Sequence, residues 1–544
     1  MQPSALLTHE HGGKGRQRMT HRPLAKAPLA AGCAVLAALW AAILLAPGAA
    51  LAQSDTIIIG TTDNPTKLDP TDSYDFPGWW TAAQTHEGLL SLDPFTEELR
   101  PALATHWEVS EDGRSYTFHL RRGVTFTDGA PFNAAAVKRS FERALQLNGD
   151  PVFLIGDIRQ IDVVDDYQVV IHLNEPDATF LSKLAFVGPA YITSPNTPLL
   201  DSAEETYAIT NARGTVGTGP YRLVQYQPDV VAVFEAYDGY WGEKPKTRRI
   251  IVRYFPNASS LALAMRSGEI DIAWRSLNPE DLIALSQMEN LQRVEGVGGL
   301  AVRYLVFDVT YPPFDNRLIR QAIAYAVDRD AIIAKAFGGF NTPAYTMVPE
   351  GVPYRYETFP RRDLDKAREL LTQAGYSAAN KLSINLWYDS SGHYAKEADV
   401  AVVVKASLEE TGLIDVQLQG VEWGTLVERW TSGQTGFFLL GWYPDYLDPD
   451  NYLDPWLSTE GGKSLGTFYS HPAVDLMLRE GRATTSEEVR EAIYRMLQQL
   501  EAEDVPVIPL WYDTVQHNAI AKRSIKGLYL PADMEIRLAM LEKE

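Results

Sequence analysis

Cysteine is almost missing from this chain. Its 544 residues include one, Cys33, and that one falls in the leader rather than in the body of the protein. A body without cysteine has no disulfides, no thiolate nucleophile and no cysteine-based zinc site. Internal repeats, low-complexity tracts and Pro/Ser/Gly-rich linkers are also absent, so several domains would have to share the chain by passing it back and forth. Beyond the leader, no apolar run reaches the ~18–20 residues that suggest a membrane span. Positive charge is in deficit too, with 49 Lys and Arg against 70 Asp and Glu.

The leader itself has an ordered pattern. Lys14, Arg16, Arg18, Arg22 and Lys26 precede an uncharged apolar stretch from Leu29 to Ala46, Pro47-Gly48 breaks it, and Ala50-Leu51-Ala52 follows. That sequence of basic, apolar and small-residue regions predicts a secretory signal peptide over residues 1–52, cleaved after Ala52, and a periplasmic protein. A retained anchor is the alternative. The segment from Met19 is already a complete signal. Cys33 loosely resembles a lipoprotein cleavage box but comes too early in the apolar run. Removing five basic residues and Glu10 from the totals leaves 44 against 69, a net charge of −25. Such a chain is repelled by nucleic acid and anionic lipid, so neither is an expected partner. The remaining 492 residues correspond to about three domains at ~150 residues each.

Periodicity predicts two kinds of architecture. Ser115–Arg121 alternates, with Tyr116, Phe118 and Leu120 on one face, and Gln168–Leu173 is a second strand. Between them Asn133 can cap a helix carrying Val137, Phe141, Ala144 and Leu145 on one stripe, which makes a small α+β unit. From about 318 to 445 the rhythm changes. Helices at 318–328 and 364–374 lead into strand 382–387, helix 395–410, strand 414–418, helix 423–431 and strand 436–442. That alternation predicts a parallel, doubly wound sheet. Ligands bind at the carboxyl ends of such strands. Two loops leave those ends, Tyr388–Tyr394 and Tyr443–Asp450. The second is dense in aromatics and carboxylates, the groups that hold a cation against an aromatic wall.

A series of short segments then carries a resemblance. They include Glu87-Gly88-Leu89-Leu90, Pro101–Ser110, Tyr116–Arg121, Val124–Gly129, Gly217-Thr218-Gly219-Pro220-Tyr221, Tyr240-Trp241-Gly242, Gly268–Ala273, Arg320–Ile323, Ala326–Arg329 and Trp442–Asp450. In this order they resemble the family-five (peptide/nickel-type) extracellular solute-binding proteins of ABC importers. The resemblance implies an α/β fold of the periplasmic-binding-protein type (type II, cluster C), with two large lobes and a small extra α+β lobe. It implies lobe I from 53–94, 200–295 and 506–544, lobe II from 95–199 and lobe III from 296–505. It implies capture of a small ligand, above all a peptide, by a monomer that delivers its cargo to ABC permease subunits; the residues themselves, with no paired metal-ligand spacing, predict no metal and no cofactor. In the peptide binders an aspartate of the 442–450 loop holds the peptide ammonium, and Asp445 occupies that place, flanked by Trp442, Tyr443 and Tyr446. Some dipeptide binders place a carboxylate-binding arginine in the loop matching 388–394. Here that loop has none, and His393 falls near the position, which puts free dipeptides in doubt. Trp79, Trp80 and Trp274 are further cleft candidates, with core packing as the competing reading.

Two other classes are weighed against capture. Gly462-Lys463-Ser464-Leu465-Gly466 has the spacing of a nucleophile elbow, but no hydrophobic strand precedes it and it reads as a flexible polar turn, so a secreted hydrolase is not expected. Asp448, Asp450 and Asp454 fail the calcium-loop pattern at Tyr452. A ligand-sensing receptor without transport would use the same cleft.

Overall fold

Alternation of apolar side chains decides the small sheet. The computed structural model describes residues 55–185, 188–275, 277–391, 393–533 and 535–544. The leader, its cleavage site and Cys33 lie outside them. Strands Ala104–Val109, Ser115–Leu120, Gln168–Leu173 and Ile158–Asp165 form an antiparallel sheet in that spatial order. Tyr116, Phe118 and Leu120 are buried against Val137, Phe141 and Ala144 of helix Ala134–Leu147. The Asn133 side chain accepts the Ala136 amide at 3.0 Å and starts that helix. This is the α+β unit that the sequence pattern predicts.

The six-stranded sheet has both faces covered. Its order is Thr342–Pro343, Val507–Tyr512, Val302–Phe307, Phe437–Trp442, Leu382–Asp389, Ile414–Val421. All six residues of Val302–Phe307 are buried. Leu305 and Phe307 face a core with Phe437 and Leu439, while Tyr304 and Val306 face another with Phe438, Leu440 and Trp456. Each such fully buried side chain stabilises the fold by ~1.5–3 kcal/mol. Leu382–Asp389 runs parallel to both Ile414–Val421 and Phe437–Trp442, as the strand–helix rhythm predicts. The sheet as a whole is mixed, because Val302–Phe307 is antiparallel to both of its long neighbours. Those neighbours come from distant sequence, so local rhythm does not reveal them.

A seven-stranded sheet gathers the rest: Leu291–Glu295, Asn518–Lys522, Ile272–Trp274, Thr56–Thr61, Arg249–Tyr254, Val231–Ala236 and Tyr221–Gln227, in that order. The chain crosses between the two large sheets at 296–301 and 513–517. The two crossovers are tied together, Gly296 donating to the His517 carbonyl at 2.6 Å and Asp513 to that of Ala301 at 2.9 Å. A Cβ on Gly296 would sit 2.9 Å from the His517 Cβ, so only glycine permits this approach. Val507–Tyr512, which the sequence reading groups with residues 53–94, pairs instead in the six-stranded sheet. The hairpin Leu90–Leu92/Leu99–Pro101 likewise straddles the expected boundary at 94.

Candidate functional site

Parallel pairing brings two loop ends to one edge. Leu382–Asp389 and Phe437–Trp442 run in the same direction, so the 388–394 and 443–450 segments leave the sheet on the same side. Asn451 folds the second segment back on itself: its side-chain oxygen accepts the Asp445 amide at 2.9 Å and the Trp442 indole N–H at 3.1 Å. Asp448 accepts the Asp450 amide at 3.0 Å and starts the short helical turn Pro449–Tyr452.

Three carboxylates of this segment are buried, and their company differs. Arg490 holds both oxygens of Asp448 at 2.8 Å. Asp450 pairs with Arg482 at 3.3 Å and accepts the Tyr446 and Tyr494 hydroxyls. Asp445, 3 % exposed, pairs with no cation among the described residues. Its Oδ1 accepts the Tyr74 hydroxyl at 2.9 Å, and its Oδ2 has only a long contact of 3.4 Å with the Asn451 amide. Burial pushes its pKa up to about 6, against the pull of those two donors. At neutral pH it is therefore an ionised buried carboxylate with neutral donors only.

An aromatic wall surrounds it. The Tyr74 ring, 42 % exposed, meets Trp79 edge-on at 5.4 Å and Phe153 at 5.7 Å. Tyr443 lies 6.4 Å from Trp79 and 5.4 Å from Phe76, and its hydroxyl donates to the Asp533 carbonyl. Phe76 in turn carries the Arg275 guanidinium 4.0 Å from its ring centroid. Arg275 has a left-handed backbone (φ 58°), pairs with Asp63 and donates to Gln516 at 2.6 Å. Strain of this kind in a non-glycine residue persists where the surroundings over-determine it.

The other loop holds a different charge. Arg303, beside Gly441 in the sheet register, is 5 % exposed, pairs with Glu397 and lies 3.3 Å over the Tyr394 ring. Burial pushes the Glu397 carboxyl up to about 7, against the pull of Arg303. His393 stacks on Trp423 at 3.8 Å and 9° and meets Tyr394 edge-on. Burial and the nearby Arg303 lower its pKa, so the ring is neutral at pH 7.

The eight residues singled out by sequence thus divide. Trp79, Tyr443 and Tyr446 share one small cluster, and Asp445 joins it through Tyr74. Trp442 turns away and packs edge-on against Trp456 at 5.2 Å. Trp80 and Trp274 pack against each other, tilted by 54° with centroids 4.9 Å apart, in the core of the seven-stranded sheet, Trp80 donating to the Ile536 carbonyl. His393 stands with Arg303. Sequence reasoning missed Tyr74, Phe76, Asn451, Arg275 and Arg303. A usable signal existed for Arg303, the one charge in an otherwise apolar strand, and for the aromatic density of Tyr74-Asp75-Phe76. Thr459–Ser464 is helical rather than a flexible turn, and the Ser464 hydroxyl donates back to the Glu460 carbonyl at 3.2 Å.

Comparison with known proteins agrees with this architecture. The sequence model described as "Bacterial extracellular solute-binding proteins, family 5 Middle" matches residues 98–464. A glutathione-binding protein GsiB from Salmonella choleraesuis is 33% identical over 489 residues, covering 87% of this chain and 92% of its own. The dipeptide-binding protein of Escherichia coli K12 is 28% identical over 516 residues, covering 88% and 93%. The periplasmic binding protein DppA of Helicobacter pylori, solved in complex with peptide STSA, superposes with a TM-score of 0.75 at 28% identity, covering 90% of this chain and 98% of that one.

Proposed function

Because the chain belongs to the bacterial extracellular solute-binding proteins of family 5, which serve ABC importers, we propose that it captures an ammonium-bearing peptide between its lobes. The observation that carries this reading is Asp445, the one carboxylate of its loop without an arginine among the described residues. Leaving an ionised carboxylate buried without a counter-charge is costly. A ligand ammonium would remove that cost by donating to Oδ2 and would lie against Tyr74 and Trp79. Glutathione and dipeptides, for which the two relatives are named, share an α-ammonium and an amide, which supports the same reading.

The mechanism is lobe closure. Tyr74 and Asp445 come from segments 371 residues apart, and a ligand that touches both sides shifts the population toward the closed form. The lobes that fit this movement are 53–94 with 200–295 and the tail, 95–199, and 296 onward. The last boundary moves past Tyr512, to the paired crossovers. Binding without turnover, a monomeric state, a cleaved signal over 1–52, a periplasmic location and no nucleic-acid partner belong to the same proposal. Calorimetry with a tripeptide and its N-acetylated form tests it. The free amine binds and the acetylated peptide does not, and equal affinities would remove Asp445 from the site.

A further inference from the structure

Behind the aromatic wall lies a cavity of about 410 Å³, within the ~300–1,000 Å³ range of small-molecule sites. Leu90, Leu92 and Pro94 of the 90–101 hairpin give it one apolar wall, and Trp241 and Met540 another. Its floor is charged. Glu87 accepts the Tyr240 hydroxyl at 2.9 Å, the Trp241 indole N–H at 2.8 Å and the Thr218 hydroxyl at 2.7 Å. Asp533 and Glu535 share Arg537 between them. Glu87, Asp533, Glu535 and Arg537 all line the cavity; Glu87 also feels the charge of Arg121, and burial pushes the Glu535 carboxyl up to about 7, against the pull of Arg537. At the rim, Arg100 is paired with Asp93, and Glu243 adds another acid. The half-buried Tyr191 also lines the cavity, with its phenol pushed upward by burial and by Glu535, Asp533 and Glu87, against Arg537.

The cavity adjoins the proposed ammonium site. Ala83, Leu92 and Tyr191 line it and also pack with Trp79 and Tyr446. Tyr443 is the partition, with its ring toward Phe76 and Trp79 and its hydroxyl on the carbonyl of Asp533, a lining residue.

We propose that this cavity is a side-chain pocket of the same ligand site and selects a cationic side chain of lysine-like reach. Its apolar walls cover the methylenes, and Glu87, Asp533 and Glu535 surround the charged head. This rests on the reading of Asp445 as the ammonium anchor.

Calorimetry with Ala-Lys-Ala and Ala-norleucine-Ala tests it, because the second side chain is the first without its ammonium. The lysine peptide is expected to bind wild-type protein about tenfold more tightly, a ratio measured without any variant. Glu535→Gln is expected to reduce the ratio to about threefold or less. Ala83→Met changes no charge and narrows the cavity. It is expected to weaken Ala-Lys-Ala about fivefold more than Ala-Gly-Ala. Equal affinities of the lysine and norleucine peptides, both lost on Asp445→Asn, would overturn the pocket and leave the proposed function standing. Failure of all three peptides to bind would overturn the peptide reading and the pocket with it.

Discussion

Two buried charges flank the strand Phe437–Trp442, Arg303 beside Gly441 and Asp445 three residues beyond its end. Arg303 has a carboxylate of its own in Glu397 and an aromatic face in Tyr394. Asp445 has a phenol and an amide. The first charge has its counter-charge within the fold, although its Nε lacks a hydrogen-bond partner among the described residues. The second has no counter-charge among the described residues, a cost that protonation or a cation would relieve. Glu501 marks the limit of that argument. Both of its carboxylate oxygens are buried without a hydrogen-bond partner among the described residues, and burial drives its pKa well above the ordinary value. Burial thus favours the protonated, uncharged form of Glu501, which needs no counter-charge.

The contrast can be broken at either end. Asp445→Ala is expected to cost ~3–5 kcal/mol of affinity for an ammonium-bearing peptide, because a buried cation loses its partner. Calorimetry measures this directly, and an unchanged affinity would erase the difference between the two charges. Arg303→Met leaves Glu397 buried alone and should lower stability by ~3 kcal/mol in urea melts. The Arg303→Met/Glu397→Met double variant should recover most of that loss.

Titration sharpens the comparison further. The Asp445 pKa of about 6 in the folded protein exceeds the ~3.9 of an unfolded aspartate. Its contribution to the stability of the ligand-free protein is thus fully present below about pH 4 and is lost as pH rises through about 6. That amounts to ~2–3 kcal/mol. Peptide affinity should run the other way, falling about tenfold per pH unit below about 6 as the carboxylate is protonated. Melting curves and calorimetry across pH 4–8 check both slopes, and Asp445→Asn should flatten them. The smallest effect is expected at His393. Its Trp423 stack is worth ~0.5–1.5 kcal/mol, so His393→Ala should shift the melting temperature slightly and change peptide affinity less than about threefold.

Much of this was legible beforehand because it is local. Tyr116, Phe118 and Leu120 alternate, Asn133 caps its helix through its own side chain, and the 382–442 segment repeats strand and helix. Asp445 was legible through its motif. What surrounds it was not. Tyr74 lies 371 residues away, and Arg303 meets Glu397 across 94. Trp80 and Trp274 look like cleft aromatics in a sequence, and their mutual contact appears only once their two segments pack together.

The sequence by itself determined the basic, apolar and small-residue order of its first 52 residues, a body without cysteine, an excess of acidic residues and the strand and helix periods, because each is read from composition or from neighbours within a few residues. The tertiary structure decided which carboxylate keeps a cation. Asp445, Asp448 and Asp450 are alike in the sequence and nearly alike in burial. Helices Pro472–Ala483 and Glu487–Asp504 deliver Arg482 and Arg490 to two of them. Among the described residues, no basic side chain reaches the third.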